Sequence, residues 1–211
     1  ENLIAAFKNN KDIHKATAAL IYGLAEEDVT DQMRDTAKRV NFGIVYGLTF
    51  FGLSRDLGIS PAEAQAFIDA YFLRYPKVEV YLNTQIAKAQ KEGFVTTILG
   101  RRRYIPEINN KNQGIRQVAQ RQAINAPIQG SASDMIKMAM VQIHKILKDK
   151  NMNTEMIIQV HDELVFNVPK LELDLSVSLI RERMENVMKL EVPVRVDIKK
   201  GANWLQMEEV R

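Results

Sequence analysis

The chain has 211 residues, 46% of them hydrophobic, a net charge of +3, a pI of about 9.0 and no cysteine. That size supports one or two packed domains, and the lack of cysteine excludes disulfides and thiolate metal sites, in keeping with a reducing, cytoplasmic setting. No apolar run approaches the about 20 residues of a membrane span and nothing resembles a signal peptide, so no membrane partner is expected.

In chain order, "ENLIAAF" reads as helical and lacks an initiator Met, which predicts a piece of a longer chain. A short helix covers "DIHKATAALIYG" and stops at Gly23. Thr30 or Asp31 caps a longer one, whose Met33, Ala37, Val40 and Ile44 recur at helical spacing. "SPAE", with Ser60, Pro61 and Glu63, has the spacing of a capping box and predicts a helix to about Tyr75. Pro76 starts another, which Gly93 ends. "FVTTIL" predicts a short strand, followed by an Arg-rich loop and a helix from about Gly114. Pro127 and Gly130 are expected to interrupt that helix ahead of "SASDMIKMAMVQIHKIL". "EMIIQV" and "ELVFNV" read as strands, "LELDLSVSLIRERMENVM" as an amphipathic helix, and "VRVDIK" as a strand with Val194, Val196 and Ile198 on one face. The fold class is α+β: a helical middle, then a small antiparallel sheet carrying helices.

Two stretches hold chemistry. In "RDTAKRVNFGIVYG", Arg34, Lys38, Phe42 and Tyr46 recur every four residues beside the apolar stripe, and Gly47 follows at once. Taken alone this reads as a solvated cationic stripe next to two core aromatics. In "IIQVHDELVFNV", His161, Asp162 and Glu163 fall between two apolar runs. They are either solvated turn residues or oxygen ligands for a hard metal. Arg101, Arg102, Arg103, Lys111, Arg116 and Arg121 face Glu107 alone over one stretch, which suits an ordinary basic surface and a nucleic-acid footprint equally.

Together, the spacing Arg34-x3-Lys38-x3-Phe42-x3-Tyr46-Gly47, then "GRRRYIPEIN", "RQAINAPIQG", "QGSASD" and "QVHDELVF", resembles the bacterial DNA polymerase I family, the family A DNA polymerases. The likeness runs from "ENLIAAF" to "GANW". It implies palm for residues 1–28, a helical fingers subdomain inserted as residues 29–112, and palm again for 113–211 with the His161-Asp162-Glu163 hairpin. The implied activity is template-directed nucleotidyl transfer from a dNTP to a primer 3′-OH with two Mg²⁺, Mn²⁺ being an alternative. Its partners are primer-template DNA and dNTP.

By the same resemblance Arg34 and Lys38 grip the triphosphate, with Lys38 the candidate general acid for pyrophosphate. Phe42 packs on sugar and base, Tyr46 lies near the templating position, and His14 contacts phosphates. Arg121, Asn125 and Gln129, with His161, meet the DNA on its minor-groove side, where acceptors shared by all base pairs let geometry be checked without reading sequence. Asp162 and Glu163 are the implied metal ligands. Phe at position 42 resembles members that discriminate against dideoxynucleotides, and the "HDE" triplet separates the chain from RNA-synthesising members.

One departure stands out. The family has a further catalytic Asp in a "DYSQIELR"-like segment upstream of the region matching "ENLIAAF", and no such segment occurs in this chain. The expectation is therefore a fingers-and-palm portion that needs the N-terminal palm and thumb portion of the same polymerase as its partner. The alternatives are an incomplete DNA-binding fragment or one half of a split polymerase, inactive alone.

Overall fold

The computed structural model describes residues Asn2–Val210 and is α+β, helical for most of its length with three antiparallel hairpins. It divides into two compact units whose boundary in the chain falls between Gly130 and Ser131.

The first unit starts with α1 (Asn2–Lys8) and α2 (Ile13–Tyr22). Asp12 caps α2 by accepting from the backbone N–H groups of His14 and Lys15, and Gly23 ends it in the left-handed region. α3 (Asp31–Val45) is capped by the Thr30 hydroxyl. Its C-terminus closes in a Schellman motif: Gly47 N–H donates to Ile44 O at 2.9 Å, and Leu48 N–H to Gly43 O at 2.8 Å. α4 (Phe50–Leu57) follows and is tied back to α3 by Arg39, whose Nε donates to the Asp56 carboxylate at 2.9 Å.

α5 (Pro61–Arg74) opens on the reciprocal Ser60–Glu63 capping box, and α6 (Pro76–Glu92) ends at left-handed Gly93. One core gathers Val40, Ile44, Leu53, Ala64, Tyr71, Tyr75, Leu82 and Ile124. A second gathers Ala89, Val95, Ile105, Ile108, Ala119 and Ala123.

The Arg-rich segment is more ordered than a loop. β1 (Phe94–Thr96) pairs antiparallel with β2 (Arg102–Tyr104), with Phe94 opposite Tyr104 and Thr96 opposite Arg102. Side chains add to its backbone ladder: within the hairpin the Arg102 guanidinium lies 4.6 Å over the Phe94 ring, and from outside it Gly130 O accepts from Arg101 Nη2 at 3.0 Å. These long-range contacts leave no trace in a local pattern of three arginines.

α7 (Gln113–Asp149) corrects a second expectation, because it runs unbroken through Pro127 and Gly130. A proline inside a helix costs about 3 kcal/mol and a glycine about 1 kcal/mol relative to alanine. Burial on both sides of the break offsets this: Ala119, Ala123 and Ile124 are buried before it, Ala139, Ile143 and Leu147 after it. Gly130 also has a reason to be glycine. A Cβ there would lie 2.6 Å from Thr97 Cγ2, and Thr97 is itself buried.

Gly130→Ala is therefore expected to destabilise the chain by roughly 1–2 kcal/mol in urea unfolding despite alanine's better helix propensity. Adding Thr97→Ser, which removes the obstructing methyl and keeps the hydroxyl that accepts from Arg101 N–H, should restore most of the loss. Equal stability of wild type and Gly130→Ala would remove the steric account.

In the second unit β3 (Glu155–Val160) and β4 (Glu163–Asn167) form a hairpin, and α8 (Leu173–Glu185) follows. The core here is Ala139, Ile143, Leu147, Ile180 and Val187, filled in by Met135, Met138, Met152, Met156, Leu164, Phe166, Met184 and Met188. Glu172 ties the entry of β3 to that of α8. Its carboxylate accepts from the backbone and side chain of both Asn153 and Thr154, which hold its pKa below the usual value.

"VRVDIK" is not a ladder strand. Val194, Val196 and Ile198 do alternate in burial with their neighbours, but Val196 N–H donates to the Glu185 carboxylate and Ile198 O accepts from Val210 N–H. The last hairpin instead joins β5 (Lys199–Asn203) to β6 (Gln206–Glu209).

Candidate functional site

The predicted stripe on α3 is real and outward-facing. Ala37, Val40 and Ile44 go into the core, which turns the adjacent stripe towards solvent, with Phe42 45% and Tyr46 41% exposed. Large rings on a helix surface lose the hydrophobic gain of burial, so their exposure calls for a partner. They are also ordered relative to one another: Phe42 stacks on Tyr46 with centroids 6.1 Å apart and planes 13° apart, and the His14 ring sits 5.6 Å from Phe42. Lys38 and Phe42 further border an open groove lined by Asp35, Arg39, Gly43, Leu48 and Asp56.

The two cations are held differently. Arg34 Nε donates to Asp12 Oδ2 at 2.6 Å, so the residue that caps α2 also aims the first cation of α3. Burial opposes the charge on Asp12, but Arg34 and the Lys15 and His14 N–H donors outweigh it and hold the carboxyl below its ordinary pKa. Lys38 is exposed and makes no ion pair or hydrogen bond among the described residues.

Behind His14 lies a polar network that sequence reading passed over. Asn41 is buried; its Nδ2 lies 2.9 Å from His14 Nδ1, and its Oδ1 accepts from the Thr17 hydroxyl at 3.0 Å. The signal was available: Asn41 sits four residues after Ala37 on the apolar arc, where a polar side chain must find partners. Asp12 could likewise have been read as an N-cap from its place before "IHKATAALIY". Burial lowers the His14 pKa; Asp12 opposes this and nearby Arg34 and Lys38 add to it.

Gly47 does two jobs. Its φ of 71° is cheap only for glycine, and a Cβ there would meet Ile124 Cδ1 at 3.1 Å and Arg121 Cγ at 3.3 Å. The close approach brings Arg121 and Asn125 of α7 beside the end of α3, where Asn125 Nδ2 reaches towards Tyr46 O at 3.5 Å. Asn125 Oδ1 is buried without a hydrogen-bond partner, a costly state that an outside donor would relieve. Gln129 is exposed one turn further on. Of the basic stretch, Arg101 and Arg116 donate to backbone carbonyls and Arg102 covers Phe94, so part of that charge serves the fold.

In the second unit His161 and Asp162 form the turn of the β3–β4 hairpin, and Glu163, opposite Val160, begins β4. All three are exposed. His161 has a φ of 52°, and its carbonyl accepts from Gln159 Nε2 at 2.7 Å. A non-glycine residue in this region stores strain, which makes the turn a candidate for function. The carboxylates of Asp162 and Glu163 have the hard-oxygen chemistry that Mg²⁺ takes, but no group of three or more His, Cys, Asp or Glu that could hold a metal occurs among the described residues. The fit is to part of one coordination shell. No helix among the described residues is long and apolar enough to cross a membrane.

Comparison with known proteins identifies the family. The chain is 48% identical over 206 residues to DNA polymerase I of Caldicellulosiruptor bescii, covering 98% of this chain and 24% of that protein. It is 47% identical over 204 residues to DNA polymerase I of Bacillus subtilis, covering 97% and 23% respectively. It thus spans about a quarter of the length of these curated relatives. Among solved structures it resembles the POL domain of Pol1 from M. smegmatis in complex with DNA primer-template and dNTP, with a TM-score of 0.87 at 40% identity over 90% of this chain and 34% of that one. Residues 1–206 match the family model for DNA polymerase family A, and the chain belongs to that family.

Proposed function

We propose that the chain is the fingers-and-palm portion of a DNA-directed DNA polymerase that transfers a nucleotidyl group from a dNTP to a primer 3′-OH. The observation that carries this is the outward stripe of α3, where an aimed arginine, an unpaired lysine and two stacked, exposed aromatics follow one another on successive turns. The stripe spans roughly 18 Å, the scale of a nucleoside triphosphate with its base. Residues 1–28 and 113–211 serve as palm and 29–112 as fingers.

In this reading Arg34 and His14 hold the triphosphate, and Lys38 neutralises the charge that passes to pyrophosphate as its bond to the α-phosphorus breaks. Lys38 is also placed to give that leaving group a proton. Phe42 and Tyr46 offer ring faces to the sugar, base and templating position. Arg121, Asn125, Gln129 and His161 contact primer-template. Asp162 and Glu163 hold part of a Mg²⁺ site; the metal, when bound, supplies Lewis-acid activation of the primer hydroxyl and of the phosphates.

The nucleotide reading is tested by equilibrium binding of a labelled dNTP to the chain, which should weaken on Arg34→Ala and on Lys38→Ala. Binding unchanged in both variants would remove α3 as the nucleotide surface. The DNA reading predicts weak duplex binding without sequence preference and with a steep salt dependence, since each neutralised phosphate contributes a slope of about −0.9 in log K against log salt. Reversing Arg103 and Lys111 to Glu should flatten that slope. Affinity indifferent to salt would return the basic stretch to ordinary surface.

A second reading is that the β3–β4 hairpin pairs with a further segment of the same polymerase. The observation favouring it is the apolar outer surface of β3, where Ile157 is 54% and Ile158 40% exposed. Such a surface suits pairing with a further segment.

A further inference from the structure

We infer that Asn41 is a positioning residue that fixes His14 in the tautomer carrying its proton on Nε2, so that a neutral imidazole presents an N–H donor to the triphosphate. The inference rests on the nucleotide reading of α3 for the identity of the ligand and on the Asn41 geometry for the tautomer.

Hydrogen-bond accounting decides the orientation of the amide. With Nδ2 towards His14, one of its hydrogens meets His14 Nδ1 at 2.9 Å and the other points to Ile13 O at 3.5 Å, while Oδ1 accepts from Thr17 at 3.0 Å. Turning the amide over would let Oδ1 accept from a protonated His14 Nδ1 and give one amide hydrogen to Thr17 Oγ1, but it would leave the second amide hydrogen without an acceptor and set Oδ1 beside the Ile13 carbonyl. That hydroxyl already lies 2.8 Å from Ile13 O, to which it would then give its single proton. The first arrangement gives both amide hydrogens an acceptor and the second leaves one idle, which favours the first. An amide N–H aimed at Nδ1 makes Nδ1 the acceptor, and a neutral imidazole then carries its proton on Nε2.

The same N–H opposes protonation of Nδ1, because an imidazolium would set two donors head to head. The surroundings act in the same direction. Arg34 and Lys38 are cationic neighbours from α3, and Asp12, the one carboxylate among the described residues that acts on His14, is already engaged by Arg34 and two backbone N–H groups. Nε2 makes no hydrogen bond among the described residues, on a side chain that is partly exposed. A neutral donor there complements a phosphate oxygen without adding a third full charge beside Arg34 and Lys38.

The experiment is ¹⁵N NMR of the histidine rings in the 211-residue chain, with His14 assigned through His14→Gln. In wild type above its titration, His14 should show a protonated Nε2 and an accepting Nδ1. Asn41→Ala should release it to a mixture of tautomers and raise its titration midpoint. Asn41→Asp, nearly the same shape, should place the proton on Nδ1 and raise the midpoint further, with Asp12, Arg34 and Lys38 unchanged around it. Affinity for dATP, followed on the same spectra, should fall roughly three- to tenfold in Asn41→Ala, the loss of about one oriented hydrogen bond. A merely structural Asn41 would lower the melting temperature and leave the tautomer as it was, and an unchanged tautomer in both variants overturns the inference. The tautomer is read without nucleotide. A variant that switches it in a chain deaf to dATP therefore upholds the Asn41 assignment and counts against the nucleotide reading alone.

Discussion

Lys38→Ala, placed in a full-length polymerase carrying this segment, is expected to slow nucleotide incorporation by about 10²–10³-fold at saturating dNTP, the scale of losing one preorganised charge at a developing anion. Primer-template affinity should barely change. The two cations of α3 differ in their surroundings. Arg34 is already engaged by Asp12 at 2.6 Å, so its charge is partly compensated before any nucleotide arrives, which suits the binding role proposed for it. Lys38 has no partner among the described residues, and an ammonium without a carboxylate is free to follow charge as it moves to the leaving group. Arg34→Ala should thus weaken dNTP binding more than it slows the bound complex, whereas Lys38→Ala should do the reverse. Single-turnover kinetics over a range of dNTP separates the two. An unchanged maximal rate in Lys38→Ala would exclude it from the chemical step.

Where a signal is local, the sequence carried it. Ser60, Pro61 and Glu63 are read as a capping box because each partner lies within one turn of the other, and Gly23 and Gly93 end their helices through their own left-handed conformations. The α3 stripe was equally legible, since a period of four places side chains on one face whatever the rest of the chain does. The misreadings all depend on distant partners. Pro127 and Gly130 look like a helix break until burial on either side and the Thr97 contact are known. Val194, Val196 and Ile198 keep the two-residue alternation of a strand, but their backbone partners are the Glu185 carboxylate and Val210 rather than a neighbouring strand. Asn41 shows its role only in the fold, because its partners His14 and Thr17 lie on another helix.

The 211-residue chain on its own is expected to give no templated extension with either Mg²⁺ or Mn²⁺. Two-metal transfer needs carboxylates from separate strands to hold both ions between the attacking and leaving oxygens, roughly 3.5–4 Å apart. Asp162 and Glu163 are consecutive and exposed, one in the turn and one opening β4, and together they supply part of one shell. Mg²⁺ surrenders its waters only when several fixed oxygens replace them, so two exposed carboxylates should leave it largely hydrated. The exposed Ile157 and Ile158 on β3 add a second expectation, that the isolated chain self-associates or captures a supplied segment. A primer-extension assay with and without a fragment bearing the "DYSQIELR"-type segment checks both. Restoration of extension by the fragment, abolished again by Asp162→Asn, would show that Asp162 acts together with a carboxylate supplied by that segment. Processive extension by the chain alone would defeat the argument, because two adjacent carboxylates on one turn would then have done the work assigned to two strands.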